Sequence, residues 1–154
     1  VKGQPPITEP RSGLVIRYAY VWRDEAARGQ EEGKDRPCAG VLATKQEAGR
    51  IRVYVAPITH RAPSNPEHGL EIPLETRRRL GLDDERSWIK TTDLNAFTWP
   101  GPDVRPVGHP GDNRGLAYGF LPKNMAEALV ANVRERVREG PTRAVNRDES
   151  QRDR

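Results

Sequence analysis

The sequence has a single cysteine, Cys38, and only two phenylalanines and one methionine in 154 residues. A lone thiol excludes an internal disulfide and fits a reducing cytoplasm, where we expect the chain to reside. No apolar run approaches the roughly 20 residues that span a bilayer. Val1 to Arg17 also lacks the basic, apolar and small-residue regions of a signal peptide, so the expectation is a soluble protein with no membrane partner. There is no phosphate-binding Gly-Lys loop and no nucleophile elbow. His60, His68 and His109 are not at a metal-ligand spacing, so neither a metal nor a cofactor is expected. At this length a two-domain enzyme is excluded in favour of one core.

What is present is charge and chain-bending residues. Lys and Arg number 26 against 22 Asp and Glu, a formal net charge of +4, while 14 Gly and 14 Pro are spread along the chain. A surplus this small does not diagnose nucleic-acid binding by itself, although it lies in the first half. Residues 1–12 and 140–154 are polar and read as tails around a domain over 13–139.

Within that domain, Leu14 to Trp22 is rich in β-branched and aromatic residues and predicts a buried strand. A charged loop over Arg23–Arg36 leads to a short apolar strand, Cys38 to Thr44. From Arg50 to Ile58 the pattern alternates, with Ile51, Val53 and Val55 on one face and Arg52, Tyr54 and Ala56 on the other. A turn at Gln46–Gly49 joins the two. Pro73 and Gly81 bracket a short helix. Further strands are expected at Glu71-Ile72, at Ser87–Thr92 and around Phe97, with a turn at Trp99–Pro102 and a polar loop over 103–116. Pro122 opens a helix whose Met125, Leu129, Val133 and Val137 recur every four residues, and Gly140-Pro141 ends it. About five strands and one C-terminal helix, without strand–helix–strand alternation, predict a mainly β, α+β fold: a small antiparallel barrel.

Arg36 precedes Pro37, which holds it extended. A guanidinium there suits phosphate oxygens, and an ordinary surface arginine fits the same dipeptide. Thr59 ends the alternating strand, either as a hydroxyl at the sheet rim or as a plain strand-end hydrogen-bonder. His60 can exchange a proton near neutral pH. Asp93 and Asn95 share a strand face and suit a base edge or a 2′-hydroxyl, with an edge-strand role equally open. Arg77, Arg78 and Arg79 form a basic triplet that Glu75 and Asp83-Asp84-Glu85 compensate locally. Trp22, Trp88 and Trp99 are expected as core or interface aromatics rather than stacking platforms.

Taken together, these residues resemble a known family. The loop Gly29-Gln30-Glu31-Glu32-Gly33-Lys34-Asp35-Arg36-Pro37, followed by the strand CAGVLA, is similar to the Gly-x-x-x-Gly-x-x-Arg-Pro signature of PemK/MazF toxins. Val55-Ala56-Pro57-Ile58-Thr59 resembles that family's strand closing on a threonine. Leu80-Gly81-Leu82, a strand ending near Asp93 and a helix preceded by Leu121-Pro122 follow in the family's order. The resemblance implies an SH3-like barrel of the CcdB/PemK/MazF type. It implies a homodimer and a metal-independent endoribonuclease that cuts single-stranded RNA by attack of the 2′-hydroxyl on the adjacent phosphorus. An antitoxin protein would neutralise it. By this carry-over Arg36 stabilises the phosphorane and assists proton transfer, and Thr59 orients the phosphate. Because an arginine is a poor general base, His60 or Asp93 is expected to help, and Lys34, His60, Asp93 and Asn95 are candidates to contact the substrate. The sequence departs from the pattern where Gly13 is followed by Leu14 instead of an acidic residue, and at Leu94–Trp99. A non-catalytic barrel that binds nucleic acid or protein is the alternative.

Overall fold

The computed structural model describes residues 10–22, 25–26, 28–29, 33–99, 101, 103–107, 117–140 and 144–148. Its centre is three antiparallel strands, β1 (Leu14–Tyr20), β2 (Lys34–Lys45) and β3 (Ile51–Thr59). Beyond β3 lie β4 (Gly69–Glu71), helix α1 (Leu74–Leu80), β5 (Trp88–Lys90), β6 (Leu94–Thr98), β7 (Val104–Arg105), β8 (Ala117–Phe120), helix α2 (Lys123–Glu139) and β9 (Ala144–Asn146). β3 pairs with β6 along its first half and with β5 at its end, and β1 is shared in the same way between β8 and β7. Because each flanking strand splits its partners, the sheet curls into a half-barrel. Among the described residues the architecture is mainly antiparallel β, with helices α1 and α2 packed on it. Nine strands stand among the described residues instead of about five, because β7, β8 and β9 are too short to show periodicity.

Alternation in the sequence separates two apolar clusters. One face of the central strands presents Ile16, Tyr18, Tyr20, Cys38, Val53, Val55 and Phe97 to each other. The opposite face presents Val15, Ala39, Ala56 and Ile58 to Leu80 of α1 and to Leu129 and Val133 of α2. Both faces are therefore covered, and the buried run Val55 to Ile58 follows. On α2, Val137 is 54 % exposed while Arg136 is 8 % exposed. A helix turns every 3.6 residues, so an every-four pattern drifts and the stripe returns to position 136. There the Arg136 guanidinium donates to the Glu67 carbonyl and pairs with Glu139.

Three expectations need correction. Residues 140–154 are not wholly a tail, since β9 pairs in parallel with β6 at Leu94↔Ala144. Arg147 is buried beside Asp103, and Asp148 accepts from the Thr98 N–H at 3.0 Å and its Oγ1 at 2.6 Å while pairing with Arg52. Nor are residues 10–12 free: Pro10 is buried and the Ser12 hydroxyl donates to the Val41 carbonyl at 2.7 Å. Finally, β2 begins at Lys34, so Arg36 lies within a strand, paired with Tyr18, and not in the preceding loop. Expected turn residues Pro100 and Pro102, His109, most of the 103–116 loop and residues 1–9 lie outside the described residues.

An irregularity in β2 resets which residues of β2 and β3 stand opposite one another. Counting back from the turn, Lys45 pairs with Ile51 and Leu42 with Tyr54, yet Gly40 pairs with Val55, so Val41 is an extra residue in β2. Such a bulge shifts the register by one and leaves ladder groups to be satisfied elsewhere. The N-terminal segment satisfies them: the Gly13 N–H donates to the Gly40 carbonyl at 2.8 Å and Ser12 to the Val41 carbonyl.

Candidate functional site

With the register shifted, Cys38 opposes Pro57. Two residues further along the same register, Arg36 comes across from Thr59. Period-two alternation puts both on the face that carries Cys38 and Val55, but past the end of the apolar cluster. They meet in an open cleft of about 640 Å³, whose lining includes Asp35, Arg36, Thr59, His60, Asp83 and Ser87. Gly33 makes this entry into β2 possible, because a Cβ there would stand 2.5 Å from the Ala19 carbonyl oxygen.

The Arg36 guanidinium lies 5.2 Å from the centre of the Trp22 ring, and its Nε is buried with no hydrogen-bond partner among the described residues. Ser87, 3 % exposed, likewise has a hydroxyl without a partner. Both atoms are sealed from solvent, so neither is itself exposed to a group held in the open cleft. The Thr59 Oγ1 accepts from the Arg61 N–H at 3.2 Å, which leaves its own O–H to be directed elsewhere.

His60, next to Thr59, is held between two carboxylates. Its Nε2 is 2.9 Å from Asp83 Oδ2 and its Nδ1 3.3 Å from Glu85 Oε2. The backbone that presents these acids is fixed by Arg77, 5 % exposed, which donates to the carbonyl groups of Ile72, Asp84 and Glu85. The basic triplet is thus structural: Arg78 pairs with Asp84 at 3.3 Å and Arg79 donates to the Phe120 carbonyl at 2.8 Å. Gly81, at φ 77°, closes α1 through its N–H on the carbonyl groups of Arg77 and Arg78, and so starts the loop in the right place. One ligand atom each from His60, Asp83 and Glu85 lies within 4.8 Å of the others, which makes this exposed trio the group able to hold a metal ion among the described residues.

Behind the cleft the groups are protonated and inert. Burial pushes the Cys38 thiol and the Tyr18 and Tyr20 phenols well above their ordinary range. The carboxylate of Asp35, which also lines the cleft, is drawn towards Arg17 at 3.2 Å and Arg105 at 3.5 Å.

Not every candidate gathers here. Lys34 is exposed at the start of β2, and neither it nor Asp93, which is half-buried, lines the cleft. Asn95 requires correction. It is completely buried, its Oδ1 accepts from the Val21 N–H at 3.0 Å, and its Nδ2 donates to the Val21 carbonyl at 2.8 Å. A side chain so committed holds β1 to β6 and cannot meet a ligand. Sequence reasoning missed Ser87, which has no motif, whereas Trp22, expected as a core or interface aromatic, packs its partly buried ring against the apolar cluster of the central strands. No protein-family model matches the chain, nor does any curated protein.

Proposed function

We propose that this chain is an endoribonuclease of the PemK/MazF toxin kind, its half-barrel being the SH3-like barrel of that type. The observation that carries the reading is the joint presence of Arg36, Thr59 and His60 in one open cleft. A permanently charged planar fork beside a hydroxyl donor is suited to a phosphodiester whose charge grows as it reacts.

In the proposed reaction the phosphodiester lies against Arg36 and Thr59. His60, its Nε2 N–H donated to Asp83 and its Nδ1 turned from Glu85 to the substrate, takes the proton of the ribose 2′-hydroxyl, the O2′–P bond forms, and the P–O5′ bond breaks. The departing 5′-oxygen takes a proton from water in the cleft, and the hydroxide so formed takes the proton held by His60. The products are a 2′,3′-cyclic phosphate and a 5′-hydroxyl. Arg36 stabilises the crowded, more negative phosphorus centre, and Thr59 fixes the orientation of its oxygens. Asp83 orients the imidazole through Nε2. The protein works as a homodimer in the cytoplasm, and an antitoxin protein neutralises it by covering the cleft.

The test is cleavage of single-stranded RNA by the purified protein. Arg36→Ala and Thr59→Ala are expected to lower turnover by about 10²–10³-fold each with an unchanged circular dichroism spectrum. Replacing the attacking 2′-hydroxyl by hydrogen at the cut site removes cleavage. If the wild-type protein binds RNA but leaves a broad panel of sequences intact, the non-catalytic binding barrel is the correct reading instead.

A further inference from the structure

The side chains of His60, Asp83 and Glu85 gather beside the cleft from two places in the chain, the end of β3 and the loop between α1 and β5. We infer that this trio is a binding site for a zinc ion, and that the ion silences the cleft by occupying the lone pair of the His60 imidazole. The binding stands on the arrangement of donors and charge; the inhibition rests on the nuclease reading above.

The donor set is the first support. His60 lies 2.9 Å from Asp83 through Nε2 and 3.3 Å from Glu85 through Nδ1, and one ligand atom from each residue lies within 4.8 Å of the others. Two ligands of a tetrahedral zinc, each about 2.0–2.2 Å from the metal, stand about 3.4 Å apart, so a small swing of one carboxylate brings three donors round one ion. Asp83 is tied through Oδ1 to the Glu85 N–H at 3.0 Å. Glu85, 70 % exposed and with no carboxylate partner besides His60 among the described residues, is the one that swings.

Charge is the second support, and it is independent of the first. The neighbouring acids each have an arginine: Asp84 has Arg78 at 3.3 Å and Glu71 has Arg86 at 2.8 Å. Asp83 and Glu85 have no Lys or Arg partner among the described residues and share one imidazole between them. Two carboxylates that repel one another across a single ring leave a negative charge that a divalent ion neutralises.

The backbone behind the donors is fixed beforehand, since Arg77 holds the Asp84 and Glu85 carbonyl groups and His60 directly follows β3. One nitrogen with two carboxylates, and room for water, suits zinc over magnesium, which demands an octahedron of oxygens. The spacing of the histidines gives no hint of the site, because two of its three ligands are carboxylates. A neutral imidazole has one N–H and one lone pair. Whichever nitrogen takes the ion, the other carries the N–H, and His60 then has nothing with which to accept the 2′-hydroxyl proton. Zinc and the reaction compete for one electron pair.

The experiment uses the full chain with Zn²⁺ alone, Co²⁺ as its visible stand-in, and the RNA cleavage assay. In equilibrium dialysis, Glu85→Gln and Asp83→Asn are each expected to weaken zinc binding by at least about tenfold, the least that even an outer partner of a metal ligand is worth, and excess Mg²⁺ should not displace the ion. Cobalt on the wild type should give visible absorption bands that both variants lose. In the cleavage assay zinc should stop the wild type at the concentration that fills the site, and Glu85→Gln should raise that concentration by the factor seen in dialysis. Zinc affinity and cobalt bands that are absent in the wild type, or unchanged in the folded variants, overturn the site and leave the nuclease reading standing if RNA is cut. Zinc that fills the site without slowing cleavage overturns the competition for His60. A wild type that cleaves no RNA without metal, yet binds zinc through the trio, overturns the nuclease reading and keeps the site.

Discussion

Replacing Asn95 by alanine separates a structural amide from one that reads a substrate. Asn95 sits on β6 at the centre of the molecule, with no exposed surface, and bonds both backbone groups of Val21, which is itself fully buried. Truncation would strand the Val21 N–H and C=O without water or partner. Each orphaned buried group costs about 1–3 kcal/mol, so the loss should be about 2–5 kcal/mol. For a chain of this size that is a fall in melting temperature of about 5–15 °C. Asn95→Asp keeps an acceptor for the N–H but sets a carboxylate against the carbonyl, and should be at least as damaging. Urea unfolding followed by circular dichroism and by tryptophan fluorescence would measure this. Because Val21 precedes Trp22, the native-state emission of the variant should also shift. A loss below about 0.5 kcal/mol in both variants would refute the hydrogen-bond accounting and make Asn95 a candidate substrate contact again.

Arg77→Met removes the donor to three carbonyl groups at once and should cost about 2–4 kcal/mol; in RNA cleavage assays it should also lower turnover, since Asp83 and Glu85 would lose their fixed backbone. Asp148→Ala frees the Thr98 N–H and hydroxyl and leaves Arg52 unpaired, for about 2 kcal/mol in urea unfolding; no change would mean that residues 144–148 do not hold β6. Stability should decline in alkali. Cys38, Tyr18 and Tyr20 keep their protons in the folded state above the pH at which the unfolded chain releases them, so the native state binds more protons and the slope with pH is negative. The decline begins near pH 9 with the thiol and steepens above pH 10, at about 1.4 kcal/mol per pH unit per group. Urea midpoints at pH 8, 9.5 and 10.5 would check it, and a flat profile would contradict the burial of these groups.

Much of the framework was legible in the order of residues, because local rules operate at the positions concerned. The dense strand at Leu14, the alternation from Ile51, Pro73 and Gly81 around α1, and the stripe on α2 each follow from a period or a cap. The cleft as a whole was not legible, since Asp83 and Ser87 come from the segment after α1 and share no spacing with Arg36 or Thr59. Nor was Arg77, whose buried role is hidden inside a triplet that reads as a solvated basic patch.

The chain's own order of residues determined that it would build half-buried strands in hairpins, and that an extended arginine and a strand-end threonine would stand near the rim. Their facing one another was decided in three dimensions. Without the extra residue at Val41, the register from the turn would set Arg36 opposite His60. The bulge is tolerated because Ser12 and Gly13, distant in sequence, satisfy the carbonyl groups it displaces. Unsatisfied backbone is costly wherever it is buried, so a hydrogen bond made by the N-terminal segment sets which side chains meet in the cleft.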